Sequence, residues 1–487
     1  MTVAYDPASL KLPCAHFIGG ELVPAEAAIT VHAPSDGRRL GAIPRADAAM
    51  VDRAVRSAQQ ALDSSGWGHA APRDRLRVLR RWADLMEEEA DTLARLESVC
   101  SSRPFADVKT GDIPVTADQI RFFAELADKE CDVLAPTAAG HLGMIASEPY
   151  GVIGAITPWN FPISMAGWKL GPALAAGNAV VLKPSELTPW SVLFMAELAV
   201  RAGLPEGLIN IVQGDGAVTG NALTGHPGIG KISFTGSTRA GGQIMENIAR
   251  SGIKPMTLEL GGKSPMIVFA DADLDLAADC LDKGITPNAG QFCVAGSRMI
   301  VAQEIAETLA ERLIERFARC APASTWDAAP GFSPLISKAH LARVDGIVTA
   351  AKAQGGDILC GGARFDHEGS FYRPTLIGDV AGDNPAVTDE IFGPVATFQA
   401  FQTEEQALEL ARHPTYGLCA GIFTADLGRA LRLSRRIEAG TIWINRYGRS
   451  ADHILPTGGW KASGMGKDLG REAFHANRRT KAILADL

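Results

Sequence analysis

Residues 151–262 constrain the fold more than any other stretch, because short apolar runs alternate there with helix-length segments. Gly151-Val-Ile-Gly-Ala-Ile156, Ala179-Val-Val-Leu182, Leu208-Ile-Asn-Ile-Val212, Lys231-Ile-Ser-Phe234 and Pro255-Met-Thr-Leu258 read as buried strands. Strands that alternate with helices specify βαβ units and a parallel sheet. In such a sheet, ligands sit outside the carboxyl ends of the strands. Each strand here runs into an unusual turn at that end. The turns are Thr157-Pro-Trp-Asn-Phe-Pro162, Lys183-Pro-Ser-Glu186, Gly214-Asp-Gly216, Thr235-Gly-Ser-Thr238 and Glu259-Leu-Gly-Gly262. Five special turns on one sheet edge predict a binding site there.

A second α/β block follows. Met266-Ile-Val-Phe269, the run 298–301, the run 396–401 and Thr441-Ile-Trp-Ile444 read as strands, with a long helix over 304–319. Upstream, leucines and Trp82 recur at helical spacing after Pro72, a residue suited to a first helical turn. Residues 139–150 read as an extended excursion, and 479–487 as a last strand that, with the excursion, would pair across a subunit boundary. A chain of 487 residues carries at least two domains.

The net charge of −8 argues against a nucleic-acid surface and against an acidic membrane. No apolar run is long enough to span a bilayer, and the N-terminus lacks a signal-peptide pattern. The eight cysteines form no C-x-x-C pair, so zinc and dithiol motifs lack support, no metal is expected, and a reducing cytosol is the simplest compartment.

Three polar residues stand out. Cys293 lies in Gly290-Gln-Phe-Cys-Val-Ala-Gly-Ser-Arg298, among small residues. Alone it reads most readily as a packed small hydrophobe. Glu259 lies between Leu258 and Leu260; desolvation there would raise its pKa and suit a general base, although a satisfied structural glutamate fits as well. Asn160, between Trp159 and Phe161, would serve as an oxyanion donor or as a helix cap. The glycine turns at 214–220 and 236–241 are weak phosphate signals singly; with Lys183 and Glu186 on the same edge they favour a dinucleotide.

The ordered motifs Pro158-Trp-Asn-Phe-Pro162, Lys183-Pro-Ser-Glu186, Phe234-Thr-Gly-Ser237, Leu258-Glu-Leu-Gly-Gly-Lys-Ser-Pro265, Gly290 to Arg298 and Glu390-Ile-Phe-Gly-Pro394 resemble those of the aldehyde dehydrogenase superfamily. The resemblance runs over essentially the whole chain. It implies an α/β fold with a Rossmann-like parallel-sheet NAD-binding domain (1–130 and 151–262), a second α/β catalytic domain (263–465) and a small β oligomerisation extension (131–150 and 475–487). It also implies NAD-dependent oxidation of an aldehyde to a carboxylic acid by a homodimer or homotetramer. Cys293 would be the nucleophile, Asn160 the oxyanion donor and Glu259 the activator of the deacylating water. Ile156, Thr157, Pro158, Trp159, Lys183, Ser185, Glu186, Gly216, Gly220, Phe234, Gly236, Ser237, Leu260, Gly261, Glu390 and Phe392 would surround the cofactor. A carboxylate at 186 would repel a 2′-phosphate, favouring NAD over NADP. Phe161, Met165, Trp168, Phe292, Val294 and Asn445 would line the aldehyde tunnel, with Arg446, Arg449 and His453 as possible contacts for a carboxylated substrate.

Two stretches depart from the family pattern: Thr457 replaces a phenylalanine, and Val99-Cys-Ser-Ser-Arg-Pro104 replaces a run with an acidic residue and a Gly-Lys pair. Two alternatives accompany the resemblance. A CoA-acylating enzyme would pass the thioester to a thiol, and a non-catalytic relative would only bind NAD.

Overall fold

The computed structural model describes residues 2–448 and 453–487. Its first sheet has eight strands, and five of them form a parallel centre. In spatial order these are Ile209–Ile211, Ala179–Lys183, Val152–Ile156, Lys231–Thr235 and Met256–Glu259. In sequence terms the order is third, second, first, fourth, fifth. The winding therefore reverses between Val152–Ile156 and Lys231–Thr235, and a crevice opens at such a switch point. Apart from partly buried Met256, the residues of these strands are buried, as in parallel sheets covered by helices on both faces. The helix Pro162–Ala175 is buried at every residue, which fits its almost wholly apolar and small composition.

The second sheet has seven strands. Pro265–Val268 lies between Arg298–Ala302 and Cys419–Phe423, all parallel, and only Asp357–Cys360 at one edge runs antiparallel. The short strand Gly464–Met465 returns to the first sheet, pairing with Leu258 and Glu259. The end of the 263–465 span is thus tied to the opposite sheet.

A third sheet joins Arg478–Asp486 to His141–Pro149, with Val133–Ala135 beyond. The last strand and the excursion pair with each other inside one chain, Arg478 opposite Pro149 and Asp486 opposite His141. Leu134 and Leu484 on this sheet are 70% and 73% exposed. Among the described residues, no helix is long and apolar enough to cross a membrane.

Candidate active site

A cavity of about 900 Å³ opens at the switch point and reaches the Cys293 loop. Its walls include Pro158, Trp159, Asn160, Phe161, Gly236, Ser237, Leu260, Gly261, Phe292, Cys293, Val294, Glu390 and Phe392. Five strand-end or loop motifs separated by up to 234 positions in sequence thus converge on one space.

On one side, the strand Lys231–Thr235 ends in Gly236, and Ser237 caps the helix Thr238–Ser251 by accepting from Ala240 N–H at 3.2 Å. A helix start presents unpaired N–H groups and a positive dipole end, a seat for phosphate. A Cβ on Gly236 would come within 2.4 Å of the Phe234 ring, which would have to shift. The hydroxyls of Thr157 and Thr235, at the ends of the two switch-point strands, are buried without hydrogen-bond partners. Ile156, just before Thr157, registers directly against Lys183 on the next strand. Lys183 is buried; its Nζ donates to Pro184 O at 2.8 Å and lies 3.5 Å from Glu186. Burial lowers the Lys183 pKa. Gly220 packs beside the Lys183 stem, and Ser185 accepts from Leu187 N–H. Lys183, Ser185, Glu186, Gly216 and Gly220 lie off the cavity wall, at the neighbouring strand ends. Orphaned hydroxyls, a helix start and a lysine–carboxylate pair along one edge fit a dinucleotide.

Glu390 stands across from this edge. Its Oε1 accepts from Gly262 N–H at 2.9 Å, and burial pushes its pKa up to about 7. A Cβ on Gly261 would lie 2.3 Å from the other carboxylate oxygen. Phe392, at φ 58°, sets its ring edge-on to Trp159 at 5.3 Å. Two residues not singled out by the sequence hold this turn. His340 Nε2 meets Phe392 O at 2.7 Å, and Arg343 donates to Ile391 O and Glu390 O. Burial lowers the His340 pKa to about 4, so the ring is neutral and its Nε2–H donates. Their i, i+3 spacing on the helix Lys338–Ala353 was the available signal.

On the thiol side, Asn160 is 6% exposed. Its Nδ2 donates to Gln291 O at 3.0 Å, and Asn288 Nδ2 donates to Asn160 O at 3.2 Å. Gly262 meets the same loop from below: a Cβ there would lie 2.3 Å from Cys293 O. Cys293 is partly exposed to the cavity. Glu259 is buried at the end of its strand and is not part of the cavity wall.

Phe161, Met165, Trp168, Phe292 and Val294 line the outer part of the cavity, joined by Tyr447, whose hydroxyl donates to Val294 O. Phe161 and Phe292 stack with centroids 5.5 Å apart, and Arg103 covers Phe161 at 4.7 Å. Arg103 is held by two bonds to Asp112 in a nearly buried pair. The departure at 99–104 thus bears on the aromatic wall. Asn445 does not line the tunnel. Its amide is spent on Thr424 N–H and Thr424 O at 3.0 and 2.9 Å, tying down a chain crossing where Asn445 adopts φ 49°. His453 does line the cavity, Arg446 does not, and Arg449 lies outside the described residues. Among the described residues, no cluster of three His, Cys, Asp or Glu side chains is placed to hold a metal.

A cavity lined by strand-end turns, a helix start and a partly exposed cysteine fits a dinucleotide-linked enzyme. The chain belongs to the aldehyde dehydrogenase family, whose model matches residues 22–483. Among solved structures, it is 37% identical to the Pseudomonas syringae indole-3-acetaldehyde dehydrogenase AldA, over all of both chains with a TM-score of 0.96. It is 35% identical to an aldehyde dehydrogenase from Bacillus cereus solved with NAD+, again over all of both chains, with a TM-score of 0.97. A gamma-glutamyl-gamma-aminobutyraldehyde dehydrogenase from Burkholderia cenocepacia is 40% identical, covering 99% of this chain and 98% of its own, with a TM-score of 0.95.

Proposed function

We propose that the protein oxidises an aldehyde with an apolar or aromatic chain to its carboxylic acid, using NAD in preference to NADP. The observation that carries this reading is the shared cavity, in which Asn160 and Cys293 stand beside the strand-end turns of the first sheet. The Cys293 thiolate attacks the aldehyde carbon, forming a carbon–sulfur bond. Asn160 Nδ2 has two hydrogens, and one is engaged by Gln291 O. The other, with Cys293 N–H, donates to the oxyanion. Bound NAD would supply the hydride acceptor that turns this adduct into a thioester. Glu259 then takes a proton from the attacking water, and the thiolate leaves as the acid forms.

Bound NAD would be held at its adenosine ribose by Lys183 and Glu186, at its pyrophosphate by Ser237 and the helix start, and at its nicotinamide side by Glu390 and Phe392. The Phe161–Phe292 stack, backed by Arg103, supports the substrate class: it gives the tunnel a flat, stiff wall. The exposed strands of the third sheet support a homodimer or homotetramer. Eight free cysteines agree with a reducing, cytoplasmic setting. The test is kcat/KM for aryl, alkyl, amino and carboxy aldehydes with each cofactor, with product analysis. Aryl and alkyl aldehydes with NAD should give the highest values and a free acid. Formation of acyl-CoA in place of acid, or equal use of NADP, would overturn the corresponding part.

A further inference from the structure

Glu97 is the last residue but one of the helix Ala90–Ser98, and it is fully buried. It is not part of the catalytic cavity wall. Its Oε2 accepts from Ile163 N–H at 2.9 Å and from the Ser191 hydroxyl at 3.0 Å. Two further helices, Pro162–Ala175 and Trp190–Arg201, thus meet on one oxygen near their starts. Arg103 acts on Glu97 through space, but its hydrogen bonds go to Asp112. The two accepted hydrogen bonds, rather than an ion pair, therefore offset the burial of this carboxyl group.

The bond to Ile163 falls at the end of the Pro162–Ala175 helix that adjoins the thiol. Phe161 supplies no side-chain cap, Pro162 has no N–H, and Met165 N–H already bonds Phe161 O at 2.9 Å. Glu97 takes the place of the missing cap, from a different helix. The Asn160 amide has one anchor of its own, Gln291 O, and its Oδ1 has no hydrogen-bond partner. Its direction is therefore set largely by the backbone. That backbone is held before the helix by Asn288 Nδ2 on Asn160 O, and at the helix start by Glu97 on Ile163 N–H.

We infer that Glu97 is a positioning residue for the reaction: it fixes the entry of the chain into the Pro162–Ala175 helix and so aims the second Asn160 N–H at the oxyanion. The inference rests on the oxyanion role proposed above for Asn160. Burial is the largest influence on Glu97 and pushes its pKa up to about 8, so near neutral pH the group is mainly the uncharged acid. Glutamine matches that form in shape and keeps an acceptor for Ile163 N–H, whereas methionine keeps only the volume.

A double-mutant cycle provides the test. Glu97→Met should slow the pre-steady-state NADH burst by about 10–100-fold, the scale of a displaced catalytic group, with NAD affinity by calorimetry within about twofold. Glu97→Gln should restore the burst to within about threefold of the parent. In an Asn160→Ala background, Glu97→Met should cost less than about twofold more, because the group it aims is gone. An equal further loss in that background would mark a merely structural role and overturn the inference, as would a parent-like burst in Glu97→Met. Glu97→Asp keeps the carboxyl group but withdraws it by one methylene, and it gives the same readings if the methionine variant does not fold. Parent-like turnover by Asn160→Ala would instead overturn the oxyanion reading on which the inference rests.

Discussion

The dinucleotide side and the thiol side of the cavity are built by different means. On the dinucleotide side, regular strands stop and regular helices start, and the binding groups are the ordinary by-products of those ends. On the thiol side, Asn288, Ala289 and Gly290 are left-handed in succession, at φ 48°, 50° and 70°. For the alanine that conformation costs roughly 1–2 kcal/mol. Gly290 has no alternative, since a Cβ would lie 2.3 Å from Gly393 O. The turn is held by Gln291, which is fully buried. Its Nε2 donates to Asn288 O and Pro334 O, and its Oε1 accepts from Ile336 N–H. The dinucleotide side thus rests on regular element ends with small residues at the turns, while the thiol side depends on a few tertiary hydrogen bonds.

The largest expected effect isolates the two sides from each other. Cys293→Ala should lower kcat by about 10⁴-fold or more while NAD affinity, read by calorimetry, stays within about twofold. Residual turnover near the parent rate would remove Cys293 from the chemistry. Glu259→Gln should slow deacylation by about 10²–10³-fold and leave the pre-steady-state NADH burst intact. A lost burst in stopped-flow would move Glu259 to thiol activation.

Gln291→Ala sharpens the contrast in stability. It strands one buried N–H and two carbonyls, so urea unfolding should show a loss of about 2–4 kcal/mol, with faster modification of Cys293 by iodoacetamide. An unchanged midpoint would mean that the left-handed turn holds itself. The smallest effect belongs to the dinucleotide side. Glu186→Gln should shift the NAD to NADP ratio of kcat/KM toward NADP by about tenfold without altering Tm measurably. A ratio that does not move would remove Glu186 from cofactor choice.

The sequence was read correctly where periodicity and turn chemistry act locally. The five parallel strands, their turns and the motif order required only alternation of apolar runs and the glycine and proline signals. Asn445 stands off the cavity wall, since adjacency in sequence does not say where an amide points; here Thr424 takes both of its groups. His340 and Arg343 went unseen because they act on a turn some fifty residues away, and their i, i+3 spacing on one helix does not say which backbone carbonyls they reach.

By itself, then, the sequence determined the layered α/β architecture, the edge on which the site lies and the membership of the family. Local pattern and ordered motifs suffice for those. Tertiary structure alone decided that the last strand pairs with residues 141–149 of its own chain, and that the 464–465 strand crosses back to the first sheet. It also decided that Glu390 meets Gly262 N–H and that Asn160 meets Gln291 O. Each of these depends on which distant segments meet, and burial and charge compensation act on those meetings rather than on neighbours along the chain.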